Sequence, residues 1–368
     1  MKKLSITVKT VAIVLAILLP FLPLGVVIFA LPGQFGETFV GVLDEKLERL
    51  ESIDGEKIVV VGGSSVAFGL DSKLMEEKTG IPVVNFGLYA ALGTKLMLDL
   101  SLPHINEGDT VVIAPELDAQ TLSLYFNAST TLRALDGNLS YILDLPSEHY
   151  SSLLGQSFDF ALEKFKYMMG EKPTMSGVYT AESFDEYGDI IYPRPENKMP
   201  LEYNPNELIT LTEDIIDPDF LDYLNSYIRE CKARGASVYF SFCPMNSLAF
   251  ESEDYVNEAK EFSAHLSEVL ECKVISDVSD YIMDKGFFYD TNFHLNDTGV
   301  IRRTVLLAND VLAARGEPYE ENPELPHPPG FEPPVTPPED CQHRDADDNL
   351  KCDGCGIKFT DGKEKSAK

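Results

Sequence analysis

Short, almost uniformly apolar runs recur through the middle of the chain, and the stretches between them return apolar residues at every third or fourth position. The runs are KIVVVG from Lys57, PVVNFG from Pro82, TVVIAPE from Thr110, SVYFSF from Ser237 and KVISDV from Lys273. They do not alternate apolar with polar residues, which is how strands buried on both faces of a parallel sheet read. Helical periodicity occupies Ser72 to Lys78, Thr94 to Ile105, Pro218 to Arg234 and Asp254 to Leu270. The alternation predicts an α/β three-layer sandwich around a central parallel sheet of about five strands, spanning residues 56–315.

The pattern breaks in four places. Residues 117–207 show no regular succession of strand and helix, only pieces such as Ser157 to Met169 and the polar stretch FDEYGDIIYPRPENK. An insertion after the third strand falls on the side where open α/β sheets bind ligands; it reads either as a lid or substrate-selecting subdomain or as structural elaboration. Residues 33–55 read as an amphipathic connector, with Phe39, Leu43, Leu47 and Leu50 at helical spacing. Residues 316–340 are rich in proline and acid and read as an extended, unfolded spacer, followed by a Cys/His tail at 341–368.

The fourth break is the N-terminus. After Lys2, Lys3 and Lys9 comes an uncharged run from Thr10 to Leu31, long enough as one helix to cross a membrane. The basic flank and the following Glu37, Asp44 and Glu45 predict a single-pass plasma-membrane anchor with a cytoplasmic N-terminus and an extracytoplasmic domain. A cleaved signal peptide is the competing reading, with Ile28-Phe29-Ala30 a weak cleavage site. Pro20 and Pro23 predict a kink.

The 368 residues, 44% hydrophobic, suffice for a substantial core. A net charge of −30 excludes nucleic acid as a natural partner, because phosphate-backbone binding needs clustered Lys and Arg. Cys231, Cys243 and Cys272 lie in apolar or helical contexts and read as buried thiols.

Candidate chemistry sits in two segments. GGSSVAFG from Gly62 ends the first strand on glycines, so that a serine hydroxyl and the neighbouring N–H groups can share one point above the sheet edge. A nucleophile, a phosphate-cradling loop and a plain turn all fit this stretch, although neither GxxxxGK[ST] nor GxGxxG is present. Far downstream, FFYDTNFHLNDTG carries His294 just before a helix start capped by Asn296 or Asp297, with Asp290 four residues earlier. A serine needs a base to become nucleophilic, and an imidazole needs an acceptor on its other nitrogen.

GGSSVAFGLD, NFG and DTNFHLNDTG, on an α/β chain, together resemble the SGNH (GDSL-like) hydrolase superfamily, and especially its membrane-anchored branch related to polysaccharide O-acetyltransferases and the teichoic-acid D-alanylation protein. The resemblance covers residues 56–315 without the insertion and implies a flavodoxin-like sheet. It implies Ser64 as nucleophile, with Ser65 the alternative, His294 as general base, and the N–H groups of Ser64 and Gly87 as oxyanion donors. Asp290 stands one position further from the histidine than the family's acid, and Asn292 is an alternative that could orient the ring without balancing its charge. Where the family has an oxyanion-binding asparagine this chain has Pro115 and Glu116; Asn127 in the insertion is a substitute candidate. The implied activity is a serine esterase or O-acyltransferase for small, acetyl-type esters of cell-envelope glycans, needing no cofactor, with a membrane acyl-donor partner if it transfers. The rival is an envelope binding or assembly protein with a degraded site.

In the tail, Cys341, His343, Cys352 and Cys355 have spacing suited to a structural zinc site. A disulfide or an unstructured thiol tail fits the same residues, and calcium fits less well because the loop lacks the closing Glu of an EF-hand.

Overall fold

The computed structural model describes residues 6–19, 21–172 and 176–330. One compact unit runs from Met1 to Pro326, and a second, His327–Lys368, has only its first four residues described. The zinc expectation at Cys341, His343, Cys352 and Cys355, and the extended-tail expectation beyond residue 330, lie outside the described residues.

Five parallel strands form the main sheet: β1 Ile58–Gly62, β2 Val83–Gly87, β3 Thr110–Ile113, β4 Ser237–Phe240 and β5 Lys273–Val274, in the order β2-β1-β3-β4-β5. Val61 pairs with Phe86 on one side and Ile113 on the other, and Gly62 with Gly87. Every residue of β1, β2 and β3 is buried, which accounts for their unbroken apolar runs. β5 is shorter than KVISDV suggests.

Two helical layers cover the sheet. Ile58, Val60 and Val112 face a cluster containing Met75 of α5 (Ser72–Thr79) and Leu307 and Val311 of α12 (Asp297–Arg315). Val59, Val61 and Val111 face the larger core, shared with α3 (Leu43–Ser52), α6 (Thr94–Ser101), α9 (Pro218–Ala233), α10 (Tyr255–Val269) and the short α11 (Val278–Tyr281). Burying each such valine contributes about 1.5–3 kcal/mol. The connector is therefore part of the domain: Leu43, Leu47 and Leu50 are buried beneath it.

Its lysine is buried too. Lys46 Nζ donates to Asn85 O at 3.0 Å and to Gly188 O at 2.6 Å. Beside it, Asp189 accepts from Ser72 N, Ser72 Oγ and Asn85 Nδ2. Burial pulls Lys46 down to about 7 and pushes Asp189 up to about 6, the direction expected when charged groups leave water. These contacts tie residues 188–189 of the insertion into the sheet.

The insertion carries α7 (Ala128–Ala134) and α8 (Tyr150–Met168). α8 begins well before the periodicity at Ser157 suggests. The single spanning helix expected over Thr10–Leu31 is corrected: the segment forms α1 (Ile6–Leu18) and α2 (Phe21–Phe29), and among the described residues no helix is long and apolar enough to cross a membrane.

Candidate active site

β1 runs into Gly63 and then α4 (Ser64–Ala67), a single helical turn. The glycines are required by close approach. A Cβ on Gly62 would strike Ala114 O and Val66, and one on Gly63 would strike the Glu116 carboxylate. Gly87 is equally confined, against Val66 and Gly63 O. Ser64 is thereby held at the carboxyl edge of the sheet, beside the β1/β3 junction where the strand order reverses, the usual ligand position in such sheets.

The second segment folds as a closed loop over this edge. Phe288 and Leu295 form an antiparallel bridge, Tyr289 N donates to His294 O, and Thr291 Oγ1 accepts from the N–H groups of Phe293 and His294. Asn296 caps α12 by accepting from Gly299 N at 3.0 Å. Across this loop Asp290 faces His294 despite the extra residue between them.

The result is a continuous relay. His294 Nε2 lies 2.8 Å from Ser64 Oγ, and His294 Nδ1 lies 2.9 Å from Asp290 Oδ1. Ser64 and His294 are separated by 230 positions in the chain and are 8% and 6% exposed. The arrangement fits the tautomer with the proton on Nδ1, donated to Asp290, leaving Nε2 to accept the serine proton.

Three further residues, none singled out in the sequence, fix the relay. The Phe68 ring stacks on the imidazole at 3.9 Å and 3°. Tyr179, from the insertion, donates its hydroxyl to Asp290 Oδ2 at 2.7 Å. Arg194 donates to Phe68 O and to Ile190 O. Burial on its own would raise the Asp290 pKa, but the hydrogen bond and charge of His294, the Tyr179 hydroxyl and the Arg194 charge outweigh it. The carboxyl therefore lies below its ordinary value of 3.8. Only aromatic residues scattered through an irregular segment hinted at Tyr179.

The other side of Ser64 is different. Glu116 Oε1 accepts from Ser65 N at 2.5 Å and lies 3.3 Å from Ser64 Oγ. Ser64 has one hydroxyl proton and two acceptors facing it, the imidazole being the closer. Glu116 Oε2 is buried without a hydrogen-bond partner among the described residues. Arg303 is wholly buried behind the turn and donates to Ser65 O at 2.5 Å; Glu116 is among the groups whose charge favours its protonated form.

Several expected roles are corrected here. The Gly87 N–H is not free for an oxyanion, because it donates to Asn85 Oδ1 at 3.2 Å. Asn292 is buried but bonds Asn204 and Glu207, so it does not orient the imidazole. Asn127 caps α7 through Thr130 N and does not line the site. Ser65 is fully buried with its hydroxyl unpartnered among the described residues, and the His294 imidazole meets Ser64 instead. Cys231, Cys243 and Cys272 are free and buried, and burial pushes Cys231 up to about 11. Among the described residues no group of His, Cys, Asp or Glu is arranged to hold a metal ion.

Comparison with models of known protein families and with curated proteins gave no match to this chain.

Proposed function

We propose that this protein is a serine acyl hydrolase or acyltransferase using Ser64, His294 and Asp290. The observation that carries the reading is the Ser64–His294–Asp290 relay, in which both hydrogen bonds are of ordinary length. Ser64 Oγ attacks the carbonyl carbon of an ester while its proton passes to His294 Nε2. The carbon–oxygen bond to the alcohol then breaks, and His294 returns the proton to the departing alkoxide. A water, or the hydroxyl of an acceptor, attacks the acyl-enzyme; its proton goes to His294 and then to Ser64 as the acyl group leaves. Asp290 holds the imidazole in its tautomer and balances its charge.

The family resemblance favours O-acyl esters of cell-envelope glycans as substrates, with an acyl-donor partner if the acceptor is a sugar. A second reading, an envelope binding or assembly protein, draws support from the Glu116 carboxylate at the Ser65 N–H and the engaged Gly87 N–H. Turnover of p-nitrophenyl esters by the full chain separates the two. Ser64→Ala is expected to lower kcat/KM by about 10³-fold or more; turnover unaffected by that change removes the enzyme reading.

Membrane attachment, in place of a single span, runs along the surface. Val11, Ile13 and Leu15 of α1 and Phe29 of α2 are exposed, as are Leu154, Phe158, Leu162 and Phe165 of α8. The last four recur at helical spacing, as in helices that lie in a bilayer interface. Lys164 Nζ joins α8 to α2 by donating to Ile28 O at 3.0 Å. The full chain is expected to co-sediment with phosphatidylcholine vesicles, and Phe158→Asp with Leu162→Asp to weaken this several-fold; equal sedimentation of both would remove α8 from the contact.

A further inference from the structure

The relay opens into a cavity of about 990 Å³, a volume near the top of the range that holds drug-sized ligands and far more than an acetyl group needs. Ser64 and His294 line it together with Phe35, Phe39, Leu208 and Phe293. Aromatic rings lead away from the base in steps. Phe68 stacks on His294, and Phe39 lies 6.1 Å from Phe68. Phe35, one turn back along the connector, lies 4.6 Å from the ring of Tyr167 on α8. The cavity thus runs from the nucleophile to the helix that carries the exposed apolar stripe.

Most polar groups along its wall are already engaged by the protein. Asp118 accepts from the N–H groups of Gln120 and Thr121 with one oxygen and from the Thr121 hydroxyl with the other. Thr38 Oγ1 donates to Phe35 O, Thr210 Oγ1 to Glu251 and the Tyr179 hydroxyl to Asp290. Arg133 is paired with Glu163 at 2.9 Å. A sugar ring needs free donors and acceptors around it, since its hydroxyls lose water on entry. An alkyl chain needs apolar wall and gains from each methylene it buries.

We propose that the acyl group is an extended, apolar chain seated between the connector and the insertion, so that the substrate is a neutral ester of a medium- or long-chain acid. Neutrality follows from Glu116, Asp118 and Glu207 on the cavity wall and the net charge of −30, which oppose an anionic thioester or phosphate donor. The proposal rests on the acyl-transfer reading and substitutes a longer chain for the acetyl group implied by the resemblance. Leu208 determines chain-length preference. It lines the cavity and is 45% exposed, so it can be changed without disturbing the core.

The full chain is assayed with p-nitrophenyl acetate, octanoate and palmitate. Octanoate is expected to exceed acetate in kcat/KM by at least about tenfold, and Leu208→Arg to lower that ratio at least about tenfold. Equal or better turnover of acetate overturns the proposal, as does a ratio insensitive to Leu208→Arg. Independently of turnover, the Ser64→Ala chain is titrated with the methyl ester of parinaric acid, a fluorescent neutral chain. Saturable binding that Leu208→Arg abolishes supports the proposal even if no ester is turned over, which would count only against the catalytic reading. No saturable binding, or binding indifferent to Leu208→Arg and hence outside the cavity, overturns it.

Discussion

The two halves of the site differ in how completely they are built. On the His294 side the three donors of the relay each have an acceptor: serine to imidazole, imidazole to Asp290, and Tyr179 to the second Asp290 oxygen. On the Glu116 side, a carboxylate takes the Ser65 N–H and the Gly87 N–H is spent on Asn85. Proton transfer and oxyanion binding are separate demands, and an ionised carboxylate beside the reacting carbonyl opposes the negative charge that forms there. On the proposed reading, the fold is thus prepared for nucleophilic attack and unprepared for stabilising its product while the Glu116 carboxylate faces Ser64 and Ser65. Arg303, buried behind the same turn, limits the cost of leaving Glu116 there.

The largest effect should come from breaking the complete half. Asp290→Asn removes the charge that balances the imidazolium and disfavours the productive tautomer; kcat on a p-nitrophenyl ester is expected to fall by about 10²–10⁴-fold. A fall of less than threefold would mean that Asp290 does not serve the imidazole. The incomplete half should respond in the opposite direction. Glu116→Gln removes the charge while keeping an acceptor for the Ser65 N–H, and kcat is expected to rise by about tenfold or more, since a single oxyanion contact is worth 10²–10³-fold. A loss of activity in Glu116→Gln would instead make the carboxylate a working part of the site.

The smallest effect concerns stability. Because the folded Asp290 pKa lies below its ordinary value of 3.8, its ionised form is favoured by folding. The contribution is fully present above that ordinary value and is lost as pH falls through the lower, folded one. Thermal melts of the full chain and of Asp290→Asn should therefore differ at pH 7, with the gap narrowing as pH falls below 3.8. A gap that is constant across this range would show that the carboxylate charge does not stabilise the fold.

Much of this was legible in the chain because it is local. The five strands are continuous apolar runs, and their buried faces explain why. The glycines before Ser64 and the cap at Asn296 each declare a turn. Asp290 could be named beside His294, but only the bridge between Phe288 and Leu295 shows why four positions of separation still bring the two side chains together. What stayed hidden depends on long-range contact. Tyr179 and Arg194 come from a segment without periodicity, and the Lys46, Asp189 and Asn85 group joins three distant parts of the chain. Glu116 was conspicuous by residue type, yet its direction could not be read, and neither could the loss of the Gly87 N–H to a side chain two residues away. The N-terminal run has the apolar length of a single span, yet its described residues fold as the two short helices α1 and α2.

The central claim is that Ser64 is the nucleophile and His294 its base. Treating the full chain with a fluorophosphonate and mapping the adduct by peptide mass spectrometry tests it most directly. A single adduct on Ser64, slowed strongly in Asp290→Asn and absent in Ser64→Ala, is the expected result. An adduct on Ser65, or labelling that survives Ser64→Ala, would contradict it.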